Sequence, residues 1–401
     1  MRGTPAAPSS ASVASPSDRT IPFRAGDAIR RWFASFGTDE PLHWTHILAV
    51  LLVWRIALQI VTFAVAAHHG VDPNVDAAVW HWSFREWFKW DGGWYVRIAQ
   101  SGYGGRTPFG QAPFAFFPLY PLAINALTHA GFEPAMAGFL LSHVATFFAA
   151  LFFFRFVERR WDETTARRAL IFLLLFPTSF FLVALYAESL LLLLMVLAID
   201  FAFRDRWLAA SIAAAFATAT KATALVLIPI LVLIYLRRAK PGVTSALSLA
   251  IAPLGAVAYS AFLGVRFHRP LAWLTSEHAW GRHFGLHGFH HLLTANAWDG
   301  RGVYLVQRPG DPIAFLVVIA IAVALIAQRR YELGALAASV VSLPAFSGTL
   351  DSIDRYALIA FPIFAWLGAH RSIKTLAAYA GVAAPALVAL LSLFLHNHWA
   401  G

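Results

Sequence analysis

Long apolar runs separated by short polar gaps constrain the fold of this chain more than any other feature of its sequence. Hydrophobic residues make up 59% of the 401 residues and charged residues 13%, whereas about a quarter of the residues in a soluble domain are charged. A membrane-spanning helix needs roughly 20 apolar residues. Runs near that length lie near 47–67, 135–157, 169–187, 189–204, 207–220, 222–236, 244–263, 312–327, 332–347, 357–370 and 374–395. The sequence therefore predicts an all-α, polytopic transmembrane helical bundle of about 10–12 spans.

The basic residues between these runs predict the orientation of the bundle. Residues 116–130 are also apolar, but Pro118 and Pro121 favour a re-entrant or interfacial helix over a full crossing. With that segment left out and the Arg30/Arg31 end placed in the cytoplasm, every compact basic cluster falls on the cytoplasmic side. These clusters are "ERRWDETTARR", "RDR", "RRAK", "QRR" and "HRSIK". The opposite face then carries two long extracytoplasmic loops, at about 68–134 and 264–311.

The sequence predicts a short N-terminal tail followed by a single membrane domain. Residues 1–20 are small, polar and rich in proline, with no apolar segment typical of a secretory signal. We therefore expect residues 1–45 to form a largely disordered cytoplasmic tail. Residues 46–401 are expected to form a single multi-span domain in contact with membrane lipids.

Composition excludes several classes of function. The net charge is +10, but the arginines are scattered through the gaps and form no continuous stripe, so no nucleic-acid partner is expected. The chain has no cysteine, which excludes a disulfide framework and a thiolate nucleophile. It also lacks a P-loop, a dinucleotide fingerprint, a GxSxG elbow and an HExxH motif. An enzyme acting on the outer face would then need an activated donor already delivered through the membrane, such as a polyprenyl-phosphate sugar.

The stretch "WDGGWYVRIAQSGY" at 90–103 contains the first candidate catalytic residue, Asp91. Asp-Gly is a common turn, so Asp91 could simply form a turn or cap a helix. Alternatively, Trp90 and Trp94 form an aromatic wall that raises the proton affinity of the carboxylate, as a general base requires. Gly92 and Gly93 would let a ligand approach the backbone closely.

Three more ionisable residues lie at the outer edges of apolar runs. Glu188 and Lys221 are costly near a bilayer and usually face a cavity or a partner. Glu188 could also cap a helix, or the two could form a structural ion pair. Arg355, in "LDSIDRYALIAFP", suits bidentate phosphate binding, with snorkelling at the membrane edge as the alternative. Arg55 lies in mid-span and needs an anion, a carbonyl group or water.

Histidines in the second outer loop raise the question of a metal site. They are His268, His278, His283, His287, His290 and His291. The spacing of the last four could place imidazoles on one helical face, but no acid or thiol accompanies them. We therefore predict a substrate-facing loop and no metal site.

An ordered series of motifs is similar to the bacterial relatives of PIG-V, the enzyme that adds the second mannose in GPI-anchor assembly. The series runs from about residue 45 onward and comprises "WDGGWYVRIAQSGY", "AFFPLYPL", "FPTSFFLVALYAESLLLLL", "ATATKATALVLIP", "WGRHFG" and "DRYALIAFP". This resemblance places the chain in the GT-C class of multi-span glycosyltransferases. It implies transfer of mannose from a polyprenyl-phosphate donor, with inversion, at an extracytoplasmic site in a bacterial inner membrane.

The resemblance also implies roles for particular residues. Asp91 matches the first-loop aspartate of the family and would act as general base. The donor phosphate would be held by Arg355, Lys221 and Arg97. Glu188, Trp90, Trp94 and Tyr95 complete the predicted substrate-binding set. The acceptor is expected to be a lipid or glycan, and no cofactor and no obligate protein partner are implied.

A lipid-linked-sugar transporter or flippase without transfer chemistry is the alternative function. Such proteins often contain internal repeats with matched broken helices near the midplane of the membrane. The sequence has no convincing repeat, and its outer loops are large and aromatic. These features favour the glycosyltransferase.

Overall fold

The computed structural model describes residues 44–68, 86–104, 113–237, 242–285, 310–370, 372–398 and 400. These residues form α-helices and short 3-10 helices, and no strand occurs among them. The all-α fold predicted from the apolar runs is therefore confirmed. The predicted tail lies almost entirely outside the described residues, as do parts of both long loops.

Sixteen α-helices are present in the described part of the chain. The first eight are α1 (Trp44–His68), α2 (Asp91–Ser101), α3 (Leu119–His129), α4 (Pro134–Arg160), α5 (Glu163–Leu174), α6 (Glu188–Phe203), α7 (Trp207–Thr218) and α8 (Leu227–Leu236). The others are α9 (Val243–Leu249), α10 (Leu254–Phe267), α11 (Ala272–Thr275), α12 (Gly310–Ala327), α13 (Tyr331–Ala345), α14 (Ile353–Ile359), α15 (Pro362–Ala369) and α16 (Ile373–Leu395). Short 3-10 helices cover Pro113–Ala115, Ser179–Leu182, Ala222–Val226 and Ser276–Trp280.

Five described segments are long and apolar enough to cross a membrane by length and composition. They are Trp44–Val65, Pro134–Arg160, Val243–Phe267, Gly310–Ala327 and Lys374–Leu395. The other predicted runs form helices that are shorter than 18 residues or are interrupted. The chain is thus a polytopic helical membrane protein in which several of the predicted runs form shorter or interrupted helices.

Proline explains where the predicted spans break. The run 169–187 ends its α-helix at Leu174, shortly before Pro177, and continues as a 3-10 helix. The run 357–370 breaks just before Pro362, and the helices α9 and α10 are separated by a turn that ends at Pro253. Proline lacks a backbone N–H and disfavours helical geometry in the residue before it. An apolar run containing proline therefore need not be one continuous helix.

The segment predicted not to cross is a short helix. Helix α3 has 11 residues, which corresponds to about 16 Å at 1.5 Å per residue and is well short of a bilayer core. Its Tyr120 hydroxyl donates to the Gly138 carbonyl oxygen at 2.9 Å and lies 2.7 Å from Ser142. The helix is thereby attached to the first half of α4.

The bundle has two chemically different ends. Helices α4 and α6 pack together along their lengths, and the end of α4 carries Arg159, which donates to Asp200 near the end of α6 at 2.8 Å. Arg204 also contacts Asp200, at 3.2 Å. At the other end of the same two helices, Ser142 donates to the Tyr186 carbonyl oxygen, two residues before α6 begins at Glu188. Arginine clusters thus lie at one end, and Glu188 lies at the other.

The mid-span Arg55 has a partner that the sequence did not predict. Its Nε donates to Nε2 of His143 at 3.0 Å, and its guanidinium lies 4.6 Å from the ring of Trp87. Because Nε2 accepts, the ring proton is on Nδ1, which donates to the Phe139 carbonyl oxygen at 2.8 Å. A neutral imidazole and an aromatic face therefore stabilise the cation.

Gly255 allows helices α7 and α10 to cross closely. A Cβ atom at this position would lie 2.0 Å from the Ala215 carbonyl oxygen, a backbone atom with no rotamer to change. Gly255→Ala is therefore expected to destabilise the fold by about 1–3 kcal/mol, measured as a lower thermal unfolding midpoint. Gly381→Ala is the matched control, because nothing lies within 4 Å of its Cβ position. Equal midpoints for the two variants would contradict the close crossing.

A candidate active site at one end of the bundle

Four charged side chains from separate elements form a continuous line of ion pairs. Arg355 of α14 contacts the Asp91 carboxylate through Nη1 at 2.7 Å and the Glu188 carboxylate through Nε at 3.4 Å. Lys221, which precedes the 3-10 helix Ala222–Val226, donates to the same Glu188 oxygen at 2.7 Å. The order is Asp91, Arg355, Glu188, Lys221, with two carboxylates and two cations in alternation.

Exposure divides these four side chains into two kinds. The two at the ends of the line, Asp91 and Lys221, are 18% and 16% exposed. The two in the middle, Arg355 and Glu188, are 6% and 1% exposed. Glu188 is therefore a buried support for both cations, whereas Asp91 and Lys221 are partly exposed.

Local structure fixes the position of Asp91 at the start of α2. Its backbone N–H donates to the Tyr186 hydroxyl at 3.3 Å, and that hydroxyl donates to the Lys89 carbonyl oxygen at 3.2 Å. A Cβ atom at Gly92 would lie 3.2 Å from the Leu185 carbonyl oxygen. Gly92 therefore accommodates the protein's own backbone, in contrast to the predicted ligand approach. Gly93 has nothing within 4 Å of its Cβ position and remains open.

Trp90 adopts a backbone conformation that a tryptophan rarely takes. Its φ is 52° and its ψ is −118°, a region that favours glycine and costs of the order of 1–3 kcal/mol for other residues. Its side chain is 43% exposed. The strained residue directly precedes Asp91. Its carbonyl oxygen accepts a hydrogen bond from the Gly93 backbone N–H at 3.1 Å, which helps to hold Trp90 in this conformation.

Aromatic side chains line the site next to Asp91. Trp94 stacks on Phe116 with ring centroids 5.5 Å apart, and Trp280 meets both rings edge-on, at 6.2 Å and 5.8 Å. Tyr95, one helical turn after Asp91, packs against Phe116 and Tyr120. Three separate segments thus build an apolar surface beside the charged line.

An additional acidic residue, Glu277, and an additional basic residue, Arg282, lie near the charged line, and neither was a candidate site residue in the sequence. Glu277 contacts Arg282 at 3.7 Å. Arg282 also donates to the Asp351 carbonyl oxygen at 2.8 Å and lies 3.5 Å from the Tyr356 hydroxyl. Arg282 belongs to "WGRHFG", a motif recognised in the sequence without a role for its arginine. No pattern in the sequence indicated that this loop returns to the residues around Arg355.

The electrostatic environment of Glu277 ties it to the charged cluster. Burial raises the pKa of its carboxyl above the ordinary value, and the Asp91 carboxylate raises it further. The attraction of Arg282, Lys221 and Arg355 lowers the pKa of Glu277 by less than these two effects raise it. Glu277 is therefore within electrostatic range of three of the four residues in the line.

The other predicted site residues lie in different places. Trp94 and Tyr95 line the site, whereas Arg97 is six positions after Asp91, on a different face of α2 from the carboxylate. Asp354, the neighbour of Arg355, is buried away from the line, and its backbone N–H donates to the Asp311 carboxylate at 3.2 Å. The structure thus brings Asp91, Glu188, Lys221 and Arg355 together.

The described residues were also searched for side chains grouped so that they could bind a metal ion. Among them, no group of three or more histidine, aspartate and glutamate side chains has the arrangement to hold a metal ion. His278 and His283 have ring centroids 4.4 Å apart. His287, His290 and His291, whose spacing raised the question, lie outside the described residues.

Comparison with known proteins finds one protein family whose model matches this chain. A family model described as mannosyltransferase (PIG-V) matches residues 44–240. The matched range contains Asp91, Glu188 and Lys221, whereas Glu277 and Arg355 follow it. No curated protein and no solved structure matches the chain.

The raised pKa of Glu277 predicts a pH-dependent cost to stability. The folded carboxyl holds its proton more tightly than the unfolded one, whose pKa is near 4.5. The free energy of unfolding therefore decreases as pH rises from 4.5 through the raised pKa, and the full cost is present above it. Glu277→Gln is expected to raise the thermal unfolding midpoint at neutral pH and to leave it unchanged at about pH 4.

The control for this measurement is Glu332→Gln. Glu332 accepts a hydrogen bond from Arg237 at 2.8 Å, at the arginine-rich end of the bundle. It tests the effect of removing a paired carboxylate elsewhere in the protein. A lower midpoint for Glu277→Gln at neutral pH would contradict the predicted direction.

Proposed function

The chain belongs to the PIG-V-like mannosyltransferase family, and from that premise we propose that it transfers mannose from a polyprenyl-phosphate donor, with Asp91 as general base. It is an integral membrane glycosyltransferase. The observation that carries the proposal is the 2.7 Å contact between Asp91 and Arg355. A carboxylate suited to remove a proton and a cation suited to bind phosphate are adjacent in one site.

The reaction requires one bond to form and one to break. The acceptor oxygen attacks the anomeric carbon of the mannose while the bond from that carbon to the phosphate oxygen breaks. The acceptor proton moves to the Asp91 carboxylate, and polyprenyl phosphate leaves with one additional negative charge. Direct attack in a single displacement inverts the anomeric carbon, because no carboxylate forms a covalent intermediate.

The charges of the site suit this transfer. Asp91 and Glu188 balance Arg355 and Lys221, so the line of ion pairs is neutral. During the reaction Asp91 becomes neutral as the phosphate gains a charge, and the total charge is unchanged. Arg355 is already in contact with Asp91, so it can transfer its interaction from the carboxylate to the departing phosphate over a short distance.

The position of the site supports the proposed topology. Arg159, Arg204 and Arg237 lie at the opposite end of the bundle from Asp91, as the distribution of arginines along the sequence predicts for the cytoplasmic side. We place the reaction at the extracytoplasmic face of a bacterial plasma membrane. The lipid-linked donor is itself the activated substrate, so the proposal needs no additional cofactor. The acceptor is a hydroxyl of a lipid or glycan.

Asp91→Asn tests the general base. The amide keeps the size of the side chain but cannot take a proton, so transfer of radiolabelled mannose in nanodiscs should fall by about a hundredfold or more. Binding of polyprenyl-phosphate-mannose should persist. The matched control is Asp200→Asn, which removes a carboxylate that pairs with Arg159 at the other end of the bundle. Turnover by Asp91→Asn close to that of the wild type would contradict the assignment.

Arg355→Lys tests the phosphate site while keeping the positive charge. Lysine cannot reproduce the planar fork of arginine, so affinity for polyprenyl phosphate should fall by roughly tenfold. Arg237→Lys is the control, since Arg237 forms its ion pair with Glu332 at the other end. Equal lipid affinity in both variants, measured by binding in nanodiscs, would remove Arg355 from the phosphate site. If the wild type bound the donor without transferring mannose, a transporter would be favoured.

A further inference from the structure

The 3-10 helix Ser276–Trp280 places an acid and an aromatic ring on the same side. Residues three apart eclipse each other in a 3-10 helix, so Glu277 and Trp280 share one face. Trp280 packs edge-on against Trp94 and Phe116. The pKa of Glu277 responds to Asp91, Lys221 and Arg355. The shared face is therefore directed at the charged line and its aromatic surface.

The segment after this helix holds it in place. The chain reverses at Gly281, whose φ is 71°, and the Arg282 backbone N–H donates to the Glu277 carbonyl oxygen at 3.2 Å. Beyond it, the His283 backbone N–H donates to the Ser347 carbonyl oxygen at 2.6 Å. With the bond from Arg282 to the Asp351 carbonyl oxygen, these contacts attach the helix to the segment that leads into α14 and Arg355.

Glu277 retains capacity to accept hydrogen bonds. Within the described part of the chain, the contact of its carboxylate is the 3.7 Å ion pair with Arg282, which is too long for a hydrogen bond. The side chain is 24% exposed. An ionised carboxylate can accept about four hydrogen bonds. Because the side chain is partly exposed, its remaining acceptor positions are available to a ligand that carries hydroxyl groups.

A carboxylate beside an indole ring suits one ligand chemistry in particular. A pyranose sugar has neighbouring hydroxyls that donate hydrogen bonds and a face of C–H groups that carry a partial positive charge. Carboxylate oxygens accept from the hydroxyls, and the negative face of an aromatic ring attracts the C–H groups. An apolar surface with a few polar groups is also typical of small-ligand sites.

We propose that the Ser276–Trp280 helix is the sugar-binding roof of the site, with Glu277 accepting hydrogen bonds from pyranose hydroxyls and Trp280 packing against the C–H face. The inference rests on the proposed function and deepens it. The sugar is a pyranose, either the mannose carried by the donor or a terminal sugar of the acceptor. In both cases Glu277 and Trp280 are positioning residues, and Asp91 remains the base.

Binding of three probes to the full chain in nanodiscs tests the roof. The probes are polyprenyl phosphate, polyprenyl-phosphate-mannose and octyl α-D-mannopyranoside. Glu277→Gln should weaken binding of a sugar-bearing probe by about tenfold or more, because hydrogen bonds to a charged acceptor are lost, and should leave polyprenyl phosphate unaffected. Trp280→Phe keeps an aromatic ring in the packed position and should weaken the same probe less. His278→Gln is the control, since His278 lies on the same helix and its ring packs against His283.

The pattern across the probes identifies the source of the sugar. Weaker binding of polyprenyl-phosphate-mannose alone assigns the roof to the donor sugar, and weaker binding of octyl mannoside alone assigns it to the acceptor. Normal binding of both by Glu277→Gln and Trp280→Phe overturns the inference. Equal loss for all three probes also overturns it, because that result indicates a structural role.

Transfer assays on the same preparations separate this inference from the proposed function. A wild type that transfers mannose, together with variants that bind all probes normally, overturns the roof alone. A wild type that transfers no mannose from the lipid donor, but whose binding of octyl mannoside depends on Glu277, overturns the proposed donor chemistry alone.

Discussion

The carboxylate of Glu188 is the interaction on which the arrangement of the site depends. One of its oxygens lies 2.7 Å from Lys221 and 3.4 Å from Arg355, and the side chain is almost completely buried. Without it, two cations would lie close together with little solvent to screen them, a costly arrangement inside a protein. Glu188 is also the first residue of α6, where the helix dipole favours a negative charge. Helix α6 and the Glu188 carboxylate therefore fix the positions of Lys221 and Arg355. Arg355 in turn contacts Asp91.

The two carboxylates that contact Arg355 differ in burial. Glu188 is buried beneath the cations, and one of its two oxygens contacts both of them, whereas Asp91 is more exposed and shares Arg355 with it. The two acids were both candidate substrate-binding or catalytic residues in the sequence, and in the structure they differ in burial, with Asp91 18% and Glu188 1% exposed. A carboxylate that a substrate cannot reach can still determine where the phosphate would bind.

The four residues of the charged line were all candidates in the sequence, but of their contacts only the pair between Glu188 and Lys221 was considered there. Glu188, Lys221 and Arg355 were identifiable because a charge at the edge of an apolar run is costly, and Asp91 because it lies among tryptophans and glycines. The same logic raised the ion pair between Glu188 and Lys221, which the structure contains. Span lengths were less predictable, since Pro177, Pro253 and Pro362 break runs whose composition alone suggests continuous helices. Glu277 was missed because it lies in a loop without periodicity, and its contacts come from distant parts of the chain.

The line of ion pairs also has a consequence for how the protein is made. Lys221 follows Glu188 by 33 residues, whereas Arg355 follows Asp91 by 264. A ribosome therefore delivers Glu188 and Lys221 to the membrane almost together, and each can neutralise the other during insertion. Asp91 must wait for most of the remaining chain before its cation emerges. During that interval the nascent protein contains Asp91 but lacks Arg355, so the line of ion pairs is completed only near the end of synthesis.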